Sequence, residues 1–297
     1  MINANVGVGS AQFNNEYSDE YSLVFKLAKS SILGVKSTNP LAVFDKGIVE
    51  NGTVIEQAVI KLAESYAYDK NSVDVFAQKH PELAVRYFKD YTEKQYETTV
   101  NFNELRKVIM AGQSVERVAE NIVANLTESD GYEDYVNSKQ VLTYASTEQD
   151  GEVPMVKVGN DIAITDAKAI LKAIKNTVKG MTFVNSDYNK SGIKRSTPKD
   201  RIVIVMPYKI KNALDVDELA GVFNLSKAEL EERIIEIDEG NNIYILDKEA
   251  ILKYTRLYLM TDQWNAKSLY MNYFLTVHRM YAFSQLFDSA FITVTGV

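Results

Sequence analysis

The stretch "QWNAKSLYMNYFLTVHRMY" (263–281) holds the only tryptophan of the chain, Trp264, and one of its two histidines, His278. Tyrosines, a phenylalanine and two methionines crowd around them. The segment is a ligand pocket, a catalytic corner or a packing core, and the choice decides what kind of protein this is. Leu269, Tyr270, Tyr273, Phe274 and Val277 recur at helical spacing and make one broad apolar face. His278 lies beside that face with no catalytic partner in view, because the chain has no GxSxG, no HExxH and no His-rich spacing. The stretch therefore reads as a core anchor built on Trp264, Tyr270, Tyr273 and Phe274.

Around this anchor the composition is that of a folded protein. The 297 residues are 46% hydrophobic and 25% charged, with 5 prolines and no low-complexity tract. There is no cysteine, which removes disulfides, thiolate chemistry and zinc–sulfur sites. No apolar run reaches the roughly 20 residues of a membrane span, and the first residues lack the basic and apolar regions of a signal peptide. Net charge is −7. Residues 1–150 carry 14 basic and 22 acidic groups, and residues 151–297 carry 19 and 18. Such a balance argues against gripping nucleic acid over a broad surface, which needs many Lys and Arg.

No motif supplies a reaction. "GVGS" (7–10) has no preceding strand, third glycine or Lys-Ser, so it is neither a dinucleotide fingerprint nor a phosphate loop. "DYNKSG" (187–192) opens like a calcium loop, but its twelfth position is Pro198 rather than a bidentate Glu. The carboxylate groups Glu128/Asp130, Asp215/Asp217/Glu218 and Glu231/Glu232 sit in polar, helix-like stretches, as solvated faces and caps do. No catalytic, cofactor or metal residue is expected.

Along the chain, residues 1–22 read as an extended arm, 22–34 as a short helix and 37–47 as a loop around Pro40. Two segments, 47–69 with its Asn51-Gly52 turn signal and 84–102 with Tyr87, Tyr91 and Tyr96, read as extended strands. They are too polar to bury and suggest a projecting flap. A long helix runs from its cap at Ser114 to about Tyr144, with a break at Gly131. Residues 165–180 form an amphipathic helix with Leu171, Ile174 and Val178 on one side and Lys168, Lys172, Lys175 and Lys179 on the next. Residues 185–200 read as a polar surface loop carrying Lys194 and Arg195, and 201–207 as a buried strand. Helices follow at 215–224 and 226–234, the second opened by a Ser226–Glu229 capping box; 234–246 reads as two strands around a Gly-Asn turn. Helices and strands do not alternate regularly, so the fold class is α+β.

The order of these parts carries a resemblance. "TNPLAVFDKGIVENGTVIEQ" (38–57), "VNFNELRKVIM" (100–110), "LDVDELAGVFNLSKAELEERIIEID" (214–238) and "ILDKEAILKY" (245–254) resemble, in this order and spacing, segments of the major capsid proteins of tailed bacteriophages. So does the opening stretch, through Trp264-Asn265, Asn272-Tyr273-Phe274 and Ser284. The similarity is greatest to small short-tailed phages, podoviruses of Gram-positive hosts. It implies a Hong-Kong-97-like fold: an N-terminal arm (1–40), an extended-loop region (41–101), a peripheral domain with a spine helix (102–149), an axial domain (150–245) and a C-terminal segment (246–297) returning to the peripheral domain.

The resemblance further implies a structural protein of the virion, not an enzyme, whose copies close pentamers and hexamers into an icosahedral head around double-stranded DNA. Assembly would take place in the host bacterial cytoplasm, with portal and scaffolding proteins as partners and no membrane. Asn39, Pro40, Phe44, Gly47, Asn51, Gly52, Tyr87, Tyr91 and Tyr96 would then contact neighbouring subunits. The load of 18 tyrosines suits such contacts. The alternatives are a small α+β enzyme and a nucleic-acid-binding module using the basic 168–199 stretch, where Lys168, Lys172, Lys175, Lys179, Lys194 and Arg195 offer a basic contact surface. That surface would meet nucleic acid or an acidic partner; residues 101–150, with 4 basic and 9 acidic groups, are one candidate.

Overall fold

A computed structural model describes residues 39–63, 65, 80–101, 115–214, 233–268 and 270–296. The arm, the helix at 22–34, the junction 102–114 and the two helices within 215–234 lie wholly or almost wholly outside the described residues. In chain order the elements are β1 (Asp45–Ile48), β2 (Ile55–Ile60), β3 (Leu83–Phe88), β4 (Thr92–Asn101), α1 (Val115–Ser146), β5 (Val156–Lys157), β6 (Ile162–Ala163) and α2 (Ala167–Met181). Then come β7 (Ile202–Pro207), α3 (Tyr208–Ala213), β8 (Ile234–Ile237), β9 (Asn242–Asp247), β10 (Ile251–Asn265), β11 (Tyr270–Phe283) and β12 (Ser289–Thr295). The chain divides into two compact units: Asn39, Thr92–Val136 and Thr255–Arg279 fall in the first, and Pro40–Tyr91, Asn137–Tyr254 and Met280–Val297 in the second.

In the first unit β10, β11 and β4 lie side by side in that order. β11 pairs antiparallel with β4 from Tyr270↔Asn101 to Arg279↔Thr92. The expected helical face of 269–277 is overturned. Met271, Tyr273, Leu275 and Val277 are buried, and the residues between them are half-exposed, so the period is two. The sequence satisfies both periods over this short run, and a long partner strand together with β-favouring Tyr, Phe, Thr and Val tips it to a strand. Trp264 is corrected too: it stands near the end of β10, before the turn at 266–268, and is 39% exposed. Tyr273 is a core residue at 3%, whereas Tyr270 and Phe274 are half-buried on the opposite face of the strand.

Helix α1 runs through Gly131 without the expected break. One glycine costs a helix only about 1 kcal/mol, too little to interrupt thirty residues of packing and hydrogen bonding. Among the residues of α1 whose burial is described, Leu126, Asp130 and Asp134 are buried in this unit; they are four apart, and two of them are carboxylates. A buried carboxylate must be paired. Arg279 on β11 donates to both oxygens of Asp130 at 2.7 and 2.8 Å, and Asn39 Nδ2 donates to Asp134 at 2.9 Å.

The second unit is built on a sheet ordered β5-β12-β9-β7-β8, with β6 also on β12. β7 is buried at every position, as expected of "RIVIVMP". β8 and β9 are both strands but not a hairpin: β7 lies between them, parallel to β8 and antiparallel to β9. β12 pairs with β9 and β5, so the end of the chain completes this sheet, and the boundary expected at 245/246 does not divide it from 150–245. Helix α2 lays Ile170, Ile174, Val178 and Met181 on the sheet's Ile202, Ile204, Met206, Ile245 and Ile292. Asp166 caps it, accepting from the Ala169 N–H at 3.1 Å.

The flap is a single two-stranded hairpin. β2 pairs antiparallel with β3 from Ile55↔Phe88 to Ile60↔Leu83. The segment 84–102 is therefore not one arm: its first part forms β3 and its second part, β4, belongs to the first unit's sheet. Residues 51–52 do form a turn, with Gly52 at φ +85° where a side chain would be strained.

Candidate functional site

The register of the flap sorts its side chains onto two faces. Glu56, Ala58 and Ile60 share one face with Tyr87, Val85 and Leu83, and all six are exposed. Ile60 is 66%, Leu83 57% and Tyr87 66% exposed, a row of apolar side chains in water. Ile55, Gln57, Val59, Ala84 and Phe88 on the other face are half-buried. That second face is tied to its own subunit. Gln57 Nε2 donates to the Glu249 carbonyl at 3.2 Å, Arg86 donates to the Gln285 side chain, and at the base Lys46 pairs with Glu249 at 2.7 Å. An isolated two-stranded hairpin is marginal in water, so tethers on one face and a cover on the other are what it needs.

The residues expected at subunit contacts divide accordingly. Pro40, Gly47, Asn51, Gly52 and Tyr87 are exposed. Phe44, at 1% exposure, packs in the subunit's own core beside Leu41, and Asn39 is spent on Asp134, so both leave the surface set. Aromatic and amide residues beside a proline look like contact residues in sequence, but here the 3₁₀ turn Pro40–Phe44 folds Leu41 and Phe44 inward. Tyr91 donates to the Thr53 carbonyl at 3.3 Å. Tyr96 donates to Glu133 at 2.6 Å; burial first, then the Asp130 charge, push its phenol up to about 12.

Lys168, Lys172, Lys175 and Lys179 are all exposed on α2, as expected, and so is Lys194. Arg195 is not part of that surface. Its guanidinium lies 4.3 Å over the Phe287 ring, donates to the Leu286 carbonyl at 3.0 Å and reaches Asp247 at 3.2 Å. Desolvation by burial pulls it down from the usual arginine range. This polar lock was not legible in the sequence. Asp247, fully buried, also takes three hydrogen bonds from Arg201 at 2.9, 2.9 and 3.2 Å. Asp288, buried enough that desolvation raises its carboxyl, accepts from Thr197 Oγ1 at 2.7 Å and Asn189 Nδ2 at 3.1 Å. The loop 185–200 is thus docked rather than free. The only hint in the sequence is that Asp247 closes the apolar run of β9.

His278 is held by neighbours rather than poised for chemistry. Arg256 Nη2 lies 3.2 Å from its Nδ1, and Glu93 is 3.6 Å away on the paired strand. With Arg256 donating to Nδ1, the ring presents no basic nitrogen to a hydroxyl there. Among the described residues no group of three His, Cys, Asp or Glu side chains stands ready for a metal. Among them, too, no helix is long and apolar enough to cross a membrane.

Comparison with known proteins agrees with this geometry. Residues 3–293 match the family described as Phi29-like phage major capsid protein. The major capsid protein of Bacillus phage GA-1 is 25% identical over 291 residues, covering 95% of this chain and 62% of that protein. The major capsid protein of Streptococcus phage Cp-1 is 24% identical over 301 residues, covering 90% of this chain and 80% of that one. The chain thus spans less than two thirds of the GA-1 protein. Among solved structures, the capsid of Staphylococcus phage Andhra superposes with a TM-score of 0.69 at 12% identity, over 88% of this chain and 85% of that one. The capsid of cyanophage A-1(L) gives 0.59 at 12% identity, over 86% and 92%. At these identities the structures establish the fold, which is the α+β Hong-Kong-97-like capsid fold.

Proposed function

Because the chain belongs to the Phi29-like phage major capsid protein family, we propose that it is the repeating subunit of an icosahedral phage head, closing pentamers and hexamers around double-stranded DNA. The observation that supports this most directly is the two-faced flap. One face is tethered to its own subunit and the other presents Ile60, Leu83, Val85 and Tyr87 to solvent. In a shell made of one chain the surface that covers such a face is another copy. Pro40, Gly47, Asn51, Gly52 and Tyr87 are the contact residues of this reading, with the arm before them. The flap corresponds to the extended loop, the first unit to the peripheral domain and the β5-β12-β9-β7-β8 sheet with α2 to the axial domain. Portal and scaffolding proteins complete the partners, and the host cytoplasm is the place of assembly.

Negative-stain microscopy of the expressed protein tests the proposal. Uniform hollow shells or capsomers are expected; discrete particles of subunit size under all assembly conditions would overturn it.

A further inference from the structure

The lysine face of α2 has a geometry that the shell proposal does not use. Taking 100° per residue, Lys168, Lys172, Lys175 and Lys179 fall within an arc of roughly 60°, well away from the buried arc of Ile170, Ile174 and Val178. At a rise of about 1.5 Å per residue the row is roughly 16 Å long. No acidic residue occurs between Ala167 and Met181. Asp166, next to the row, is spent on capping the Ala169 N–H. Among the described residues none of the four lysines pairs with a carboxylate. A cationic ridge with no carboxylate partner among the described residues thus stands on a chain whose net charge is −7.

We infer that this ridge is a phosphate-contact strip for double-stranded DNA, binding without regard to sequence. The inference rests on the proposed shell for the presence of the duplex. Two features favour DNA over an acidic protein. The ridge holds only lysines, which act as solvated point charges, with no arginine fork and no aromatic anchor among them. Protein interfaces are depleted in lysine and rely on such anchors, whereas a line of phosphates asks only for spaced positive charge. A strip of about 16 Å runs past roughly five phosphates of one strand, at about 3.4 Å of axis each. Four lysines are few, so each contact is weak and reversible, and the acidic remainder of the chain keeps DNA from adhering elsewhere.

The test uses full-length, unassembled subunits and a labelled 20-base-pair duplex, titrated between 50 and 200 mM NaCl. The expected slope of log K against log salt is about −3.6 for four neutralised phosphates. The variant K168Q/K172Q/K175Q/K179Q should bind at least tenfold more weakly at 50 mM salt, with a shallower slope and an unchanged melting temperature, since Gln is nearly as good a helix former as Lys. The control K89Q/K209Q should bind like the parent. Three results would overturn the inference: a quadruple variant that binds as the parent does, a parent that binds no duplex at 50 mM salt, or a parent that prefers poly-glutamate to DNA. Microscopy of the same preparations separates the two ideas. Parent protein that never assembles counts against the shell, and shells with an inert ridge count against the strip.

Discussion

Strands β2 and β7 are each six residues long and rich in β-branched side chains, yet their fates are opposite. "IVIVMP" is buried at all six positions between β8 and β9. "IEQAVI" alternates between half-buried and exposed and has one partner, β3. The first is complete within the subunit. In the proposed shell the second is half of an interface, because among the described residues nothing covers its outer row. The lesson is that apolar content does not separate core from contact surface; the number of faces that find a neighbour within the same chain does.

The largest effect should come from a charge that the fold has buried. Arg279→Ala removes the guanidinium that binds both oxygens of buried Asp130 and should cost about 3–5 kcal/mol, read as a lower urea midpoint by circular dichroism. A near-native midpoint would show that water reaches Asp130. Next, Ile204→Ala empties a fully buried site in β7 and should cost about 2–5 kcal/mol by the same measurement, losing assembly only through loss of fold. Trp264→Ala should cost only about 1 kcal/mol, because the residue is already 39% exposed. A loss comparable with Ile204→Ala would return Trp264 to the core. The smallest effect on stability belongs to the flap: Leu83→Ser with Tyr87→Ser should stay within about 0.5 kcal/mol of the parent and yet abolish shells in the microscope. Normal shells from that variant would mean that the outer row is not an interface, and the contrast with β7 would collapse.

Alkali offers an independent probe of the first unit. Burial, then Asp130, push the phenols of Tyr96 and Tyr258 up to about 12. Their contribution to stability is complete below about 10, the unfolded value, and is lost as pH rises through about 12. Thermal melts across that window should show a steeper fall than those of Tyr258→Phe; parallel curves would remove Tyr258 from the account.

Legibility followed the physical range of the forces. Helix α2 declared itself, because its apolar and lysine faces repeat at 3.6 residues and no distant partner is needed to sort them. Strand β7 and the Asn51-Gly52 turn were equally local signals. The segment 269–277 was not, because Tyr270, Tyr273, Phe274 and Val277 fit a helix while Met271, Tyr273, Leu275 and Val277 fit a strand. Pairing with β10 on one side and with β4, 169 to 187 residues earlier, on the other selects the second period. Phe44 and Trp264 exchanged their expected places for the same reason: an aromatic side chain is equally suited to a core and to a surface, and its neighbours decide.

By itself the sequence determined the α+β class, the long helix, the cationic face of α2 and membership of a capsid lineage, all set by local periodicity or by the order of segments. Only the tertiary structure decided which flap face is tethered, that Arg195 turns inward onto Asp247, and that Asp130 and Asp134 form the polar seam beneath β11. Those outcomes depend on contacts between residues far apart in the chain. A buried charge in particular leaves no periodic trace, because what makes it tolerable is a partner that sequence spacing does not reveal.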